Sequence, residues 1–202
     1  MNSRHAKIIA AALISLLAFA YLSYRNQRKN DTTNSVATDI IGGTINLFGG
    51  GMKISDAGKA AIQHREGYEN TVYADSGGRL TVGVGHLLMP ADGYNLGEYV
   101  PETVIAAWFN SDISHAENIM ARYITVSLTQ NETDALGSAV FNLGARFFVN
   151  ADGSKTQVLG DINAGRMAEA AAQFPRWDHV DGVVVAGLET RRISEMQQFL
   201  TA

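Results

Sequence analysis

The chain has 202 residues, enough for one well-cored domain with an appendage, and its 46% apolar and 18% charged residues are ordinary for a globular protein. It contains no cysteine, which excludes a disulfide framework, a thiolate metal site and a cysteine nucleophile. The net charge is −4, unevenly spread: five basic and two acidic residues give +3 over residues 1–51 and leave −7 for the rest, an acidic body that argues against a nucleic-acid partner.

Residues 8–24, IIAAALISLLAFAYLSY, form a run of 17 without a charge, flanked by Arg4 and Lys7 before it and Arg25, Arg28 and Lys29 after it. A helix of this length reaches about 26 Å, slightly short of a hydrocarbon core of about 30 Å. Residues 1–25 are therefore read as a weak membrane anchor, with a cleavable secretory signal and a buried or partner helix as the competing readings. The two export readings send the remainder of the chain out of the cytoplasm. Residues 26–53 read as a linker, polar at first and then glycine-rich over 39–51, where a contact with membrane or with virion components is an alternative to a plain tether.

The folded body is expected over 54–202. Ser55 is a plausible N-cap and Asp56 complements the dipole of a short helix that Gly67 would end. Glu66 then stands at the last helical position, beside the partial negative end of the dipole, a place that suits a protonated acid. Residues 71–75 and 79–86 alternate apolar and polar around Ser76-Gly77-Gly78, the pattern of a β-hairpin with a three-residue turn. Alternation puts Tyr73 and Asp75 on one strand face, and on the return strand it separates Leu80, Val82 and Val84 from Thr81, Gly83 and Gly85. If Asp75 and Thr81 look the same way, Gly83 and Gly85 leave an open floor beside them that suits a sugar, with Tyr73 as a further contact.

From Pro101 onward the periodicity is helical, to about Tyr123. Thr129 with Glu132 forms a capping box for a helix to about Asn142, followed by helices near 155–163, 166–174 and 188–199. A small hairpin lobe with a larger helical lobe makes an α+β domain.

Glycoside hydrolysis needs a protonated carboxyl on the leaving oxygen and an ionised one across the sugar ring, and Glu66 with Asp75 fits that division of roles. The run E-G-x7-D-x5-T-x-G-x-G-H, from Glu66 to His86, resembles the catalytic signature of the phage-type lysozymes, glycoside hydrolase family 24. Phe141-Asn142-Leu143-Gly144 resembles that family's central helix, and Arg176-Trp177, Gly187-Leu188 and Arg191-Arg192 with Glu195 resemble its C-terminal block. The resemblance covers about residues 54–200, in order.

It implies a lysozyme-like fold with Glu66 as general acid, Asp75 as the base that orients the attacking water and Thr81 as a second holder of that water. Inversion would need the two carboxyl groups about 6.5–9.5 Å apart. The implied substrate is peptidoglycan, cut at the β-1,4 bond between N-acetylmuramic acid and N-acetylglucosamine, with no metal or cofactor. Asn142 is implied as a cleft amide, His86 with Asp112 as a structural ion pair, and Trp177, Arg191 and Arg192 as scaffold. The chain departs from the pattern between Gly144 and Asn163, where Asp152-Gly153 suggests an added turn. Three functions compete: an exported or membrane-tethered endolysin, a virion-associated lysozyme acting during genome entry, and a catalytically silent wall-binding module, which the joint presence of Glu66, Asp75 and Thr81 disfavours.

Overall fold

Ser55 opens the first helix because its hydroxyl accepts from the Gly58 amide at 3.0 Å, satisfying one of the donors that a helix start leaves free. The computed structural model describes residues 52–75, 78–180 and 183–201; the membrane segment and linker expected before residue 52, and Ser76-Gly77 of the expected turn, lie outside them. Among the described residues no helix is long and apolar enough to cross a membrane. Helix α1, Asp56–Glu66, stops at Gly67, whose φ of 78° is a conformation that residues with a Cβ rarely adopt. The chain entering it is pinned by two buried carboxylates. Glu117 accepts from the Ile54 amide at 2.9 Å, and Asp134 accepts from the Ser55 amide and hydroxyl at 2.8 and 2.5 Å.

Strands β1 (Glu69–Ala74), β2 (Leu80–Gly83) and β3 (His86–Leu87) form one antiparallel sheet in that order. Tyr73 pairs with Thr81, so these two share a face, while Val72 and Val82 are buried on the other. The alternating pattern predicts a single return strand over 79–86, and here the structure differs. Gly83 and Gly85, at φ 66° and 71°, turn the chain back so that Val82 pairs with His86. Val84 consequently leaves the face it was expected to share with Leu80 and Val82, and packs into the helical core.

Helix α2, Glu102–Tyr123, carries its apolar residues on one face and touches both lobes. Ile105 joins Val72, Val82 and Val100 in a small core under the sheet, whereas Phe109, Ile113, Ala116, Ile119 and Met120 belong to the larger helical core. Helix α3, Gln130–Leu143, begins with the expected capping box of Thr129 and Glu132, and every residue from Thr133 to Val140 is buried. It is the central post of the helical lobe, packed against α1, α2 and α6 (Ala186–Phe199), while α4 (Gln157–Asn163) and α5 (Met167–Ala171) pack on each other.

The helical pattern over 166–174 is cut short at Ala171, and a 3-10 turn, Phe174–Trp177, follows. Pro175 explains the break, because it lacks an N–H to continue the helix and crowds the residue before it. A two-stranded ribbon, β4 (His179–Val180) and β5 (Val183–Val184), precedes α6. The added turn expected at Asp152-Gly153 is present: the Gly153 amide donates to the Asn150 carbonyl at 2.9 Å, and Val149 bridges to Lys155. The result is an α+β molecule with a small sheet lobe and a larger helical lobe, joined along α2.

Candidate active site

A cleft of about 290 Å³ runs between the sheet and the helical lobe. Glu66 reaches it from the end of α1, and Tyr73, Asp75, Arg79, Thr81 and Gly85 from the sheet and its turns. His86, Asp112, His115, Phe141 and Asn142 complete much of the remaining wall, with Gly144 and Ala145.

Pairing across the hairpin explains the sheet side. With Tyr73 opposite Thr81, the next same-face pair toward the turn is Asp75 and Arg79, so all four side chains share the cleft face. The Asp75 carboxylate is gripped by Arg79: Nε and Nη2 donate to Oδ2 at 3.1 and 2.7 Å, and the Arg79 amide donates to Oδ1 at 3.0 Å. Thr81 is buried, and its hydroxyl donates to the Arg79 carbonyl at 3.3 Å. Its lone pairs remain able to accept. Tyr73 is 40% exposed, and burial, followed by the carboxylates of Asp75, Glu66 and Glu69, holds its phenol above the usual 10.0.

The helical side rests on α6. Arg191 donates from Nη1 to Glu66 Oε1 at 2.7 Å, from Nε to Glu195 Oε1 at 3.0 Å and from Nη2 to the Ser138 carbonyl at 3.2 Å. Burial opposes its charge, yet Glu66 and Glu195 raise it above the ordinary arginine value. Arg192 is fully buried; it lies 2.9 Å from Glu195 Oε2 and donates from Nη2 to Asn142 Oδ1 at 2.8 Å. Burial lowers Arg192 to about 10, with Glu195 working the other way. With Oδ1 of Asn142 taken by Arg192, the amide nitrogen is the donor left for the cleft.

The other oxygen of Glu66, Oε2, faces Gly85: a Cβ placed there would stand 3.6 Å from it. Gly85 therefore keeps space open beside the Glu66 carboxyl. Gly83, expected on the same open floor, is not in the cleft wall. It is buried, and a Cβ on it would meet Ile105 Cγ2 at 2.5 Å, because the turn at 83–85 rotates it toward α2.

His86 hydrogen-bonds through Nδ1 to Asp112 Oδ2 at 2.9 Å and stacks on Trp108 with ring centres 4.6 Å apart. Trp177, Arg191 and Arg192 lie outside the cleft wall; Trp177 packs edge-on against Phe147 at 5.4 Å, with Arg146 over its ring. Of the departing segment after Gly144, only Gly144 and Ala145 line the cleft. Sequence reasoning did not single out Arg79 or His115, and it named Phe141 only within the central-helix motif. Arg79 was legible in principle, since a three-residue turn makes residues 75 and 79 partners. Among the described residues no group of three His, Cys, Asp or Glu is placed to hold a metal ion.

Comparison with known proteins identifies the fold and the family. The chain is 32% identical over 155 residues to an endolysin of Acyrthosiphon pisum secondary endosymbiont phage 1, covering 75% of this chain and all of that one. It is 30% identical to a SAR-endolysin of Escherichia phage Mu, over 75% of this chain and 84% of the relative. Among solved structures, the muramidase domain of SpmX from Asticaccaulis excentricus matches at a TM-score of 0.62 with 32% identity, covering 74% of this chain and 99% of that one. An endolysin from Escherichia coli O157:H7 phage FAHEc1 matches at 0.65 with 28% identity, over 75% and 95% of the two chains. The family described as phage lysozyme matches residues 63–195, and the chain belongs to that family.

Proposed function

We propose that this phage lysozyme is an endolysin, a peptidoglycan muramidase that opens the host wall at lysis by hydrolysing the β-1,4 bond between N-acetylmuramic acid and N-acetylglucosamine. The observation that carries the reading is the meeting of Glu66, Asp75 and Thr81 in one cleft, with different partners holding each carboxyl.

In this mechanism Glu66 donates a proton from Oε2 to the leaving glycosidic oxygen while Arg191 keeps Oε1 in place. Asp75 takes one proton from a water that attacks the anomeric carbon from the opposite face, and Thr81 accepts a hydrogen bond from the O–H that stays on the new anomeric hydroxyl. The configuration at carbon inverts. Asn142 donates through its amide nitrogen, and Tyr73 and Gly85 border the sugar. Peptidoglycan is the partner, and no cofactor takes part in the scheme. Residues 8–24 serve as a signal anchor that tethers the enzyme at the inner membrane and later leaves the bilayer, which suits a short, alanine-rich run and the SAR-endolysin relatives.

Purified full-length chain should clear a peptidoglycan suspension and release new reducing ends. Glu66→Gln, which removes the transferable proton with little change of shape, should fold normally and lose turnover. Release of reducing ends at the parent rate by the variant overturns the assignment of the acid.

A further inference from the structure

Arg79 stands between Asp75 and Thr81, and no other described side chain hydrogen-bonds to its guanidinium beyond Asp75. Its Nη1 is buried without an acceptor, so the guanidinium does not tie the hairpin to a neighbouring element. A surface ion pair serving only stability would leave both partners in water. Here the side chains of Arg79 and Asp75 are 22% and 14% exposed, and both line the cleft.

The backbone of Arg79 contributes as much as its side chain. Its amide holds Asp75 Oδ1, and its carbonyl accepts from the Asp75 amide at 2.8 Å and from the Thr81 hydroxyl at 3.3 Å. One residue thus fixes the plane of the carboxylate through both oxygens and sends the threonine proton away from the cleft. A hydroxyl whose hydrogen is engaged presents lone pairs, and a carboxylate with both oxygens anchored keeps its remaining lone pairs in a set direction.

We infer that Arg79 is the positioning residue of the water site, aiming Asp75 as a charged acceptor and Thr81 as a neutral acceptor at the same attacking water. This rests on the proposed roles of Asp75 and Thr81. In this role the guanidinium acts through Asp75 rather than on the sugar, so its effect falls on the step in which water attacks and not on substrate binding. Attack geometry is sensitive to small displacements: about 1 Å of misplacement is worth roughly a hundredfold in rate. A cation beside the base also keeps it charged as the medium becomes acidic.

The test uses full-length Arg79→Gln and Arg79→Lys with Asp75→Asn beside them, each checked for folding by circular dichroism and followed on a soluble peptidoglycan oligosaccharide across pH. Arg79→Gln should lower kcat about tenfold to a hundredfold with KM within about twofold, and the acid limb of its kcat profile should move to higher pH. Arg79→Lys, which keeps the charge and loses the fork, should recover the acid limb and only part of kcat. If Arg79→Gln does not fold, the same split between limb and rate in Arg79→Lys decides the matter. Parent-like kcat and acid limb in both variants, or a raised KM with unchanged kcat, would overturn the positioning role. Parent-like activity of Asp75→Asn would instead overturn the reading of Asp75 as base, so the two failures are told apart.

Discussion

Arg191 on α6 and Glu66 at the end of α1 meet at 2.7 Å across 125 residues of sequence. The same guanidinium holds Glu195 and the Ser138 carbonyl, so the Glu66 carboxyl is oriented by a network whose other members are buried in the helical lobe.

Arg191→Met should therefore destabilise the protein and loosen the Glu66 carboxyl together. Removing one partner of a buried ion pair leaves its carboxylates without compensation, and about 3–5 kcal/mol is the ordinary loss. Urea unfolding followed by tryptophan fluorescence measures it, and turnover should fall even at temperatures where the variant is fully folded. A loss below about 1 kcal/mol would show that Arg192 alone carries Glu195.

Two glycines only two residues apart should separate stability from activity. Gly83→Ala places a Cβ 2.5 Å from Ile105 Cγ2 at a φ of 66°, so about 2 kcal/mol or more of stability should be lost through overpacking and strain. Activity per folded molecule should be near the parent's. Gly85→Ala, at φ 71°, meets only Glu66 Oε2 at 3.6 Å; it should unfold later than Gly83→Ala yet turn over more slowly. Equal melting of the two, with equal activity, would refute the distinction.

Tyr73 offers a titration that reports on the cleft. Its phenol is held above 10.0 first by burial and then by Asp75, Glu66 and Glu69. Because the folded value is raised, the folded state keeps a proton that the unfolded chain has begun to lose. This contribution to stability is fully present below pH 10.0 and disappears as pH rises through the folded value. Phenolate absorbance, with Tyr73→Phe subtracted, should place the transition above 10.0, and Asp75→Asn should bring it part of the way back. No change in Asp75→Asn would show that the Asp75 charge is not felt at the phenol.

Local chemistry along the chain was enough to place α1, the strands around Asp75 and the capped start of α3, because an N-cap, a positive-φ glycine and a capping box act within four residues. A strand's period of two, a local property, also put Tyr73 and Asp75 on one face, while Thr81 joined them only through the register that pairs it with Tyr73. The return strand misled because alternation continues through Val84 in the sequence while Gly83 and Gly85 turn the backbone, so Val84 enters the helical core and Gly83 faces Ile105. Proline at 175 carried its own warning of a helix stop.

The sequence by itself determined that Glu66, Asp75 and Thr81 are presented in that order by a helix end and a hairpin, for these lie within a run of sixteen residues, 66–81, whose geometry is set by adjacent hydrogen bonds. Only the tertiary structure decided what stands against them: Arg191 on Glu66, Arg192 on Asn142, and α2 spanning the two cores beside the cleft. Those contacts join residues 50 to 125 positions apart, and their partners are chosen by how the buried faces of α3 and α6 pack, which no local period encodes.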